Sequence, residues 1–312
     1  MALFTERFFV VMTLSDMADH VVELVGSPDT ASLAQAKKFI KFRYKMLYNQ
    51  HLWEDSKVSL SLTTYSSQVI LPAWVSKVLQ VAFKKETETR ILPPMDRQNV
   101  YQIDPYLLEE AGELIGFSHM NTVATHHHPE GVEITVVSSD VDDAGSMRVQ
   151  GVHNGNEISE TLALSGTTLV TSQYMYDEIY TLAKPTTTGY VRARTANSAA
   201  TELQTLLADE NARRHQRIQL HRDIGTTGHG LLVMAKRTCV PLLHDSDTPQ
   251  LESSVNALCA YAVADMLIRM RQVGKAQAHV QEANAQVASM MGEDKNQRAN
   301  VVRFIPEDSF SV

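Results

Sequence analysis

Residues 147–164 read MRVQGVHNGNEISETLAL and carry the strongest local structural signal in the chain. Both halves of this stretch alternate apolar and polar side chains, and a period of two is typical of half-buried β-strands. Between the halves stand Asn154 and Gly155, residue types that readily adopt the positive φ angles of a type I′ turn. The stretch therefore predicts a β-hairpin with strands at 147–153 and 156–164.

The sequence around this hairpin predicts further short strands separated by turns. They fall at residues 132–137, 167–171, 176–184 and 189–195. Short strands with turn signals at about ten-residue spacing favour a small antiparallel sandwich or barrel. The region is strongly acidic, because Arg148 is the sole Lys or Arg between residues 104 and 183. We expect residues 96–204 to form one acidic, β-rich module.

Strands are also predicted on both sides of this module. The early ones are residues 58–62, 75–83 and 87–92, and the late ones are 216–221 and 230–235. The early and late strands resemble each other more than they resemble the acidic module. We therefore expect 56–95 and 205–246 to share one antiparallel sheet, with the module 96–204 inserted between them.

The two ends of the chain predict helices. Residues 12–24 have helical periodicity, and a second helix runs from a cap at Asp29 or Thr30 to about residue 52. Near the other end, Thr248 and Pro249 are suited to start a helix that reaches residue 291, with a kink or break at Gly274. Neither end is amphipathic enough to stand alone, so 1–55 and 247–295 should pack as one discontinuous helical domain. The predicted fold class is α+β.

Apolar side chains at helical and heptad spacing are the candidates for packing within and between subunits. A Val- and Ala-rich seam of this kind permits close approach of two helices. The candidate packing residues are Ile40, Leu47, Cys259, Met266, Val273 and Val280.

Composition is that of an ordinary globular protein. The chain has 312 residues, 44% hydrophobic residues and a formal net charge of −8. Its two cysteines, Cys239 and Cys259, are too few for a disulfide framework and suggest buried thiols. The apolar run at residues 8–14 lacks the features of a signal peptide, and no stretch has the length of a membrane span. We expect a soluble protein that is not exported and has no membrane partner.

No motif in the sequence makes a positive case for catalysis. His126, His127 and His128 are adjacent and lack zinc-site spacing, so a loop is favoured over a metal site. The acidic run at 140–143 lacks the glycine and glutamate of a calcium loop, so we interpret it as an acidic hairpin turn. Residues 225–230 are rich in glycine but lack the lysine of a phosphate loop, so we interpret them as a hairpin turn. The expectation is a protein that is not an enzyme and has no cofactor or metal.

One helix face is basic. Lys37, Lys41 and Lys45 follow each other at four-residue spacing, and aromatic residues lie between them. Such a face could contact nucleic acid, line a channel or form an interface. A solvated helix face is favoured, because the chain as a whole is acidic.

The two ends of the chain resemble the head–tail adaptor, or connector, proteins of tailed phages. Residues 36–47 with Leu52 and Trp53 are similar to the opening helix of that family, and 257–269 to its penultimate helix. Residues 274–277 and 293–306 resemble its end, where a helix gives way to an arm containing Ile-Pro. The similarity covers about a third of the chain and consists of packing motifs, while the β-rich middle departs from the smallest members.

The resemblance implies a structural virion protein assembled in the host cytoplasm. It implies a twelve-fold ring of identical subunits, docked under the portal protein, through which DNA passes without specific binding. The β-rich middle would then contact neck, tail or decoration proteins. The alternative is a tail or fibre component, with a surface-binding β-module on a helical oligomerisation stalk.

The last residues, 296–312, predict a docking arm. A polar lead is followed by an apolar segment of strand-forming residues that is too short to fold alone. Pro306 would end any strand pairing, because proline lacks the N–H donor. Such an arm suits strand addition to a sheet edge of the portal or a neighbouring subunit. Its candidate docking residues are Val301, Val302, Arg303, Phe304 and Ile305.

Overall fold

The structure is a computed structural model that describes residues 12–85, 88–96, 98, 114–129, 131–221 and 228–299. It is a mixed α+β protein with helices and several antiparallel sheets. The chain divides into two compact units. One contains Met1–Lys57 and Thr238–Val312, and the other contains Val58–Arg237.

The first unit begins with two helices, α1 (Leu14–Val25) and α2 (Thr30–Gln50). Thr13 and Asp16 form a capping box at the start of α1, in which each side chain bonds to the backbone N–H of the other residue. Gly26 ends α1 with a φ of 73°, which glycine adopts without a Cβ penalty. Asp29 caps α2 by accepting a hydrogen bond from the backbone N–H of Ser32. This confirms one of the two predicted caps.

Two further helices follow the β-rich unit, α3 (Val255–Arg269) and α4 (Val273–Ala299). The predicted helix start at Pro249 was wrong, because α3 begins six residues later, after the 3₁₀ turn Glu252–Ser254. Gln250 is held outside the helix by tertiary contacts. Its backbone N–H donates to the Tyr44 hydroxyl at 3.1 Å, and its Oε1 accepts from the Val240 N–H at 3.1 Å.

The break between α3 and α4 lies at residues 270–272 and not at Gly274, where the sequence predicted it. Arg271 adopts a φ of 62°, and the N–H groups of Arg271 and Gln272 donate to the carbonyls of Ile268 and Leu267. This paired arrangement is a Schellman motif, which satisfies the last carbonyls of a helix. Gly274 lies inside the first turn of α4.

The core of the first unit is built around α3, which packs against α1, α2 and α4. Ten of the fifteen α3 residues are buried, so this helix is enclosed on nearly all sides. Residues from both ends of the chain contribute to this single core cluster. Its fully buried members include Leu14, Met17, Val21, Ile40, Ala257, Leu258, Ala262 and Val263.

The second unit contains fourteen strands in the part of the chain that the structure describes. Their bounds are β1 Lys57–Thr64, β2 Gln68–Ile70, β3 Val75–Lys85, β4 Glu88–Leu92, β5 Gly116–Val123, β6 Val132–Ser138, β7 Ala144–His153, β8 Asn156–Ser165, β9 Val170–Tyr176, β10 Glu178–Ala183, β11 Val191–Thr195, β12 Glu202–Leu206, β13 His215–His221 and β14 His229–Arg237. They form four sheets with the strand orders β1-β14-β3-β4, β2-β13-β5, β10-β7-β8 and β12-β11-β6-β9.

The hairpin predicted at 147–164 is confirmed. β7 and β8 pair antiparallel, and their register closes at His153 opposite Asn156. Asn154 and Gly155 have φ angles of 49° and 75°, so both central turn residues are left-handed, as a type I′ turn requires. Local sequence alone determines this element.

Two hydrophobic cores stabilise the second unit. The first contains residues of β1-β14-β3-β4 and β2-β13-β5, including Val81, Phe117, Ile218 and Val233. The second contains residues of the other two sheets, including Ile134, Val149, Tyr176 and Val191. Early and late strands of the unit therefore share sheets, while most of the acidic segment has a core of its own.

Two features of the sheets differ from the sequence prediction. β5 lies within the predicted insertion 96–204, yet it pairs with β13, so the first core recruits a strand from inside that range. β13 and β14 flank the glycine-rich residues 225–230 but belong to different sheets. The prediction of a hairpin there was wrong. β13 pairs with β2 and β5, and β14 lies between β1 and β3. The residues of the connecting turn do not determine which of these distant strands each one pairs with.

Candidate functional site

The helix α2 has two faces with different environments. On the inner face, Ile40, Tyr44 and Leu47 are buried in the helical core. Burial raises the pKa of the Tyr44 hydroxyl, which contacts Gln250. This inner face fixes α2 to the rest of the unit.

A polar network connects α2, α3 and α4. The Arg43 guanidinium donates to both carboxylate oxygens of Asp265, at 2.7 and 2.5 Å. It also lies 4.9 Å from the ring centroid of Tyr261, whose hydroxyl donates to Asn284 Oδ1 at 2.6 Å. The hydrogen bonds to Asp265 raise the pKa of Arg43. Because a bidentate pair restricts both distance and angle, the network sets the register of the three helices.

The outer face of α2 is exposed and mixes apolar, small and basic side chains. Phe42 and Met46 are 58% and 49% exposed and lie one turn apart. The same face carries Ala31, Ala34, Lys38 and Lys45. Exposed large apolar side chains in a row on one helix are typical of a contact surface.

The three lysines predicted as one charged face have different environments. Lys37 forms an ion pair with Asp245 at 2.7 Å, and Lys41 donates to the backbone carbonyl of Leu243 at 3.2 Å. Lys45 is exposed beside Phe42 and Met46. Two of the three lysines are therefore engaged within the unit, and Lys45 is the member that remains on the contact surface.

α4 packs along a narrow heptad seam. The seam faces α3, and its two rows repeat every seven residues. Its members are Ala276, Val280, Ala283, Val287, Met290 and Asp294. Asp294, at its end, contacts His51 Nε2 at 2.9 Å and accepts the backbone N–H of Glu54 at 2.8 Å. The other described residues of α4 that are exposed are polar, except for Val273, Gly274 and the alanines Ala278, Ala285 and Ala288.

The candidate packing residues divide in the structure. Ile40, Leu47, Cys259 and Met266 are buried, and Val280 packs at the edge of the same core. Burial raises the pKa of the Cys259 thiol to about 11, as expected for an unreactive core thiol. Val273 is 54% exposed, so its predicted place in the intrachain seam was wrong. The chain reverses at 270–272, which takes Val273 out of the heptad register of Cys259 and Met266.

The candidate docking residues Val301, Val302, Arg303, Phe304 and Ile305 lie outside the described residues. α4 reaches Ala299, directly before them.

Three adjacent histidines line a cavity of about 550 Å³ in the second unit. His126 lies against His127 and His215, with ring centroids 4.8 and 6.0 Å apart. No motif or spacing in the sequence indicated that His215, 89 residues away, would join this cluster. It is brought there because β13 pairs with both β2 and β5, whose ends flank the cavity.

The buried histidine of this cluster is held in one neutral tautomer. His215 Nδ1 lies 3.0 Å from the Leu71 carbonyl, so it donates there, and Nε2 accepts from Gln204 at 2.8 Å. Burial lowers the pKa of His215, and burial followed by the neighbouring imidazole of His127 lowers that of His126. In the described residues, no group of three or more His, Cys, Asp or Glu side chains could hold a metal ion. We assign the histidines a structural role.

The acidic run at 140–143 joins β6 and β7, which belong to different sheets, so the predicted hairpin was wrong. Asp143 is buried there and accepts hydrogen bonds from the Ser138 hydroxyl at 2.5 Å and from the N–H groups of Thr188 and Gly189 at 2.7 and 3.0 Å. The bond from Ser138, followed by that from Thr188, lowers the pKa of this carboxyl. Asp143 therefore ties two loops together.

No protein-family model matches the chain, and no curated protein sequence matches it. Among the helices of the described residues, none is long and apolar enough to cross a membrane. Evidence for the function of this chain therefore comes from its exposed surfaces.

Proposed function

We propose that this chain is a structural subunit that assembles into a closed ring of the head–tail adaptor type in a tailed-phage virion. The observation that carries the proposal is the two-sided construction of α2. Its inner face is buried on the helical core, while its outer face exposes Phe42 and Met46 beside small and basic residues. A second copy of the chain is the occupant that we assign to this outer face.

The rigidity of the helical unit supports this assignment. Arg43, Asp265, Tyr261 and Asn284 connect three helices through charged and neutral hydrogen bonds. A subunit that repeats around a ring needs a contact helix in a fixed orientation, because small angular errors accumulate from copy to copy. The network provides that orientation for α2.

In the proposed organisation, residues 1–55 and 247–295 form a discontinuous helical bundle that makes the ring. Residues 58–237 form the β-rich unit, and its strands β6 to β12, which have a core of their own, meet neck, tail or decoration proteins. The arm 296–312 docks on the portal. DNA passes through the ring without specific binding, and the chain is neither an enzyme nor a cofactor protein. Assembly takes place in the host cytoplasm, and the virion is the final location.

A ring is favoured over the alternative of a β-module on a trimeric stalk. A stalk requires an apolar heptad seam that is free to meet other copies. The heptad seam of α4 is occupied within the chain, since Ala276, Ala283 and Met290 are buried. The other described residues of α4 that are exposed are polar, apart from small residues and Val273, and they form no second seam of large apolar side chains.

The mass of the assembled protein, measured by light scattering after size-exclusion chromatography, tests the proposal. We expect a particle of about twelve subunits at high protein concentration, whereas a trimer would support the stalk and contradict the ring. Phe42→Ser with Met46→Ser should reduce the particle to monomers and leave the melting temperature of the subunit unchanged. Leu24→Ser, an equally exposed apolar position on α1, is the matched control and should assemble normally.

A second measurement concerns DNA. A conduit should not retain the genome, so a labelled duplex should show negligible binding at physiological salt. Tight, sequence-dependent binding would exclude a conduit and indicate a regulator.

A further inference from the structure

The outward face of the sheet β1-β14-β3-β4 has an apolar centre. β14 places Leu232 opposite Ala82 of β3, which in turn lies opposite Ile91 of β4. Directly opposite residues of antiparallel strands point to the same side, so these three side chains form one row. Leu232 and Ile91 are 47% and 62% exposed, and Met234 extends the row along β14. Their alternate neighbours, such as Val81 and Val233, are in the core.

Two lysines flank this apolar row on the same face. Lys84 lies opposite Gly230. Lys77 lies opposite Lys236, beyond the β-bulge between Met234 and Ala235, and Lys236 itself is only 8% exposed. Lys77 and Lys84 are exposed, and neither forms an ion pair with another residue in the described part of the chain. We call Lys77, Ala82, Lys84, Ile91, Leu232 and Met234 the basic sheet face.

A second surface, at one end of the acidic β-rich segment, has the opposite charge. The loops 139–143, 187–190 and 207–210 lie together there. Thr187 N–H donates to the Ala208 carbonyl, and Ser139 N–H donates to the Tyr190 carbonyl, both at 2.9 Å. We call these three loops the acidic tip.

The acidic tip also exposes apolar side chains. Val141 and Leu207 are 72% and 55% exposed. Around them stand the carboxylates of Asp140, Asp142 and Asp209.

Nearby cations offset only part of the negative charge of the acidic tip, because burial lowers the pKa of Lys184 while Asp143, Glu210 and Asp209 lie close enough to raise it. Arg213 forms a bidentate pair with Glu210, and Arg192 stacks on Tyr190. Lys184 is buried beneath the tip, where its Nζ donates to Thr187 Oγ1 and to the Ala208 carbonyl, both at 2.9 Å. The aspartates at the tip therefore leave an excess of negative charge beside exposed apolar side chains.

We propose that the acidic tip of one subunit docks on the basic sheet face of the next subunit. Among the described residues, each surface combines exposed apolar side chains with a net charge, and the two net charges are opposite. Apolar centres with complementary charged rims are the ordinary composition of specific protein interfaces. Because the two surfaces are different parts of the same chain, the contact is head-to-tail, and a head-to-tail contact whose rotation closes gives a ring. The inference rests on the proposed ring and adds a second interface to it.

Charge reversal on each side of this contact tests the proposal in the full-length chain. Lys77→Glu with Lys84→Glu reverses the sheet face, and Asp142→Lys with Asp209→Lys reverses the tip. Asp140 is kept, because its Oδ1 accepts the backbone N–H of Asp142 and shapes the turn. By light scattering, each double variant should lose the ring mass, with at least a tenfold weaker self-association. Arg148→Glu with Lys275→Glu, two exposed positions outside both surfaces, is the matched control and should assemble like the wild type.

Two combinations distinguish a head-to-tail contact from a general effect of charge. An equimolar mixture of the two double variants should also recover the ring mass, since the native tip of one variant fits the native sheet face of the other and the two reversed surfaces are complementary in the same way. The quadruple variant, with both surfaces reversed, should recover the ring mass. Failure of this recovery overturns the contact, as does normal assembly of either double variant.

The outcomes for the ring and for this contact are separable. A wild-type chain that remains monomeric at high concentration contradicts both the ring and the contact. Rings that persist in the double variants but are lost on changing Phe42 and Met46 contradict only the contact. DNA is the competing occupant of a basic face. A labelled duplex that binds the wild type and not the Lys77→Glu, Lys84→Glu variant would assign the face to nucleic acid and reject the subunit contact.

Discussion

At the scale of single residues, the burial of a position determines how much a charged substitution there lowers the free energy of unfolding. Ile40 is fully buried within the helical core of the first unit. An aspartate there would lose its hydration without gaining a partner. We expect Ile40→Asp to lower the free energy of unfolding by several kcal/mol, about the amount typical of an unpaired buried charge. Urea denaturation followed by circular dichroism measures this change.

Val273 provides the control for this prediction. Its side chain is similar in size to that of Ile40, but it is exposed at the first position of α4. Val273→Asp should leave the free energy of unfolding within about 0.5 kcal/mol of the wild type. An acidic residue in the first turn also interacts favourably with the helix dipole. Equal destabilisation by both variants would show that Val273 is buried in solution.

Asp29 predicts a pH dependence of stability. Its pKa is lowered to about 2, chiefly by the hydrogen bond from the Ser32 backbone N–H that caps α2. An unfolded aspartate titrates near pH 3.9. The unfolded state therefore binds more protons between these values, so the contribution of Asp29 is full above about pH 4 and is lost as pH falls towards 2.

Asp29→Asn tests this effect, because asparagine also caps helices but carries no charge. The melting temperature of the variant should fall less between pH 5 and pH 2.5 than that of the wild type. Identical slopes would mean that the carboxylate charge of Asp29 does not contribute to the acid sensitivity.

At the scale of elements, glycine affects helices in two opposite ways. Gly292 lies inside α4, has no positive φ, and has open space where a Cβ would stand. Gly292→Ala should raise the free energy of unfolding by about 0.5–1 kcal/mol, because alanine has the better helix propensity. Gly26→Ala should lower the free energy of unfolding, since Gly26 ends α1 with a φ of 73°. Thermal melting should show a higher melting temperature for Gly292→Ala and a lower one for Gly26→Ala. A lower melting temperature for Gly292→Ala would mean that another residue packs against position 292.

Elements fixed by neighbouring residues could be predicted from the sequence, and elements fixed by distant contacts could not. The hairpin of β7 and β8 follows from the alternation of its strands and from Asn154-Gly155. The Asp29 cap follows from residues three positions apart. The break after α3 falls at Arg271, a residue type with no preference for positive φ. Gln250 was placed in a helix by its neighbours, but Tyr44, 206 positions away, holds it outside.

At the scale of the whole molecule, sheet pairing is what the sequence left undetermined. Strands β13 and β14 were recognised as strands, yet their partners come from four other parts of the chain. The cluster of His126 and His215 and the basic sheet face both depend on those pairings. Of the candidate contact surfaces, the sequence indicated α2 and the arm. The row formed by Leu232, Ala82 and Ile91 could not be predicted, because these residues are far apart in the sequence and are brought together only by the register of the paired strands.

The arm predicted at the end of the chain belongs to the scale of the whole molecule, because the role proposed for it is attachment to another protein. Its apolar residues 301–305 follow directly after α4, whose buried seam ends at Asp294. Removing residues 300–312 leaves this seam intact, so the melting temperature should change by no more than about 2 °C, as expected for a surface truncation. Attachment to the portal should be lost, because the strand-forming segment that would pair with a sheet edge is absent.

A co-sedimentation assay with portal assemblies measures that attachment, and Arg303→Ala is its matched variant. Main-chain hydrogen bonds supply most of the affinity in strand addition, so replacing one side chain should weaken attachment while deletion abolishes it. A truncated chain that still sediments with the portal would show that the arm is not the docking element. A truncated chain with a much lower melting temperature would show instead that the arm packs on its own subunit.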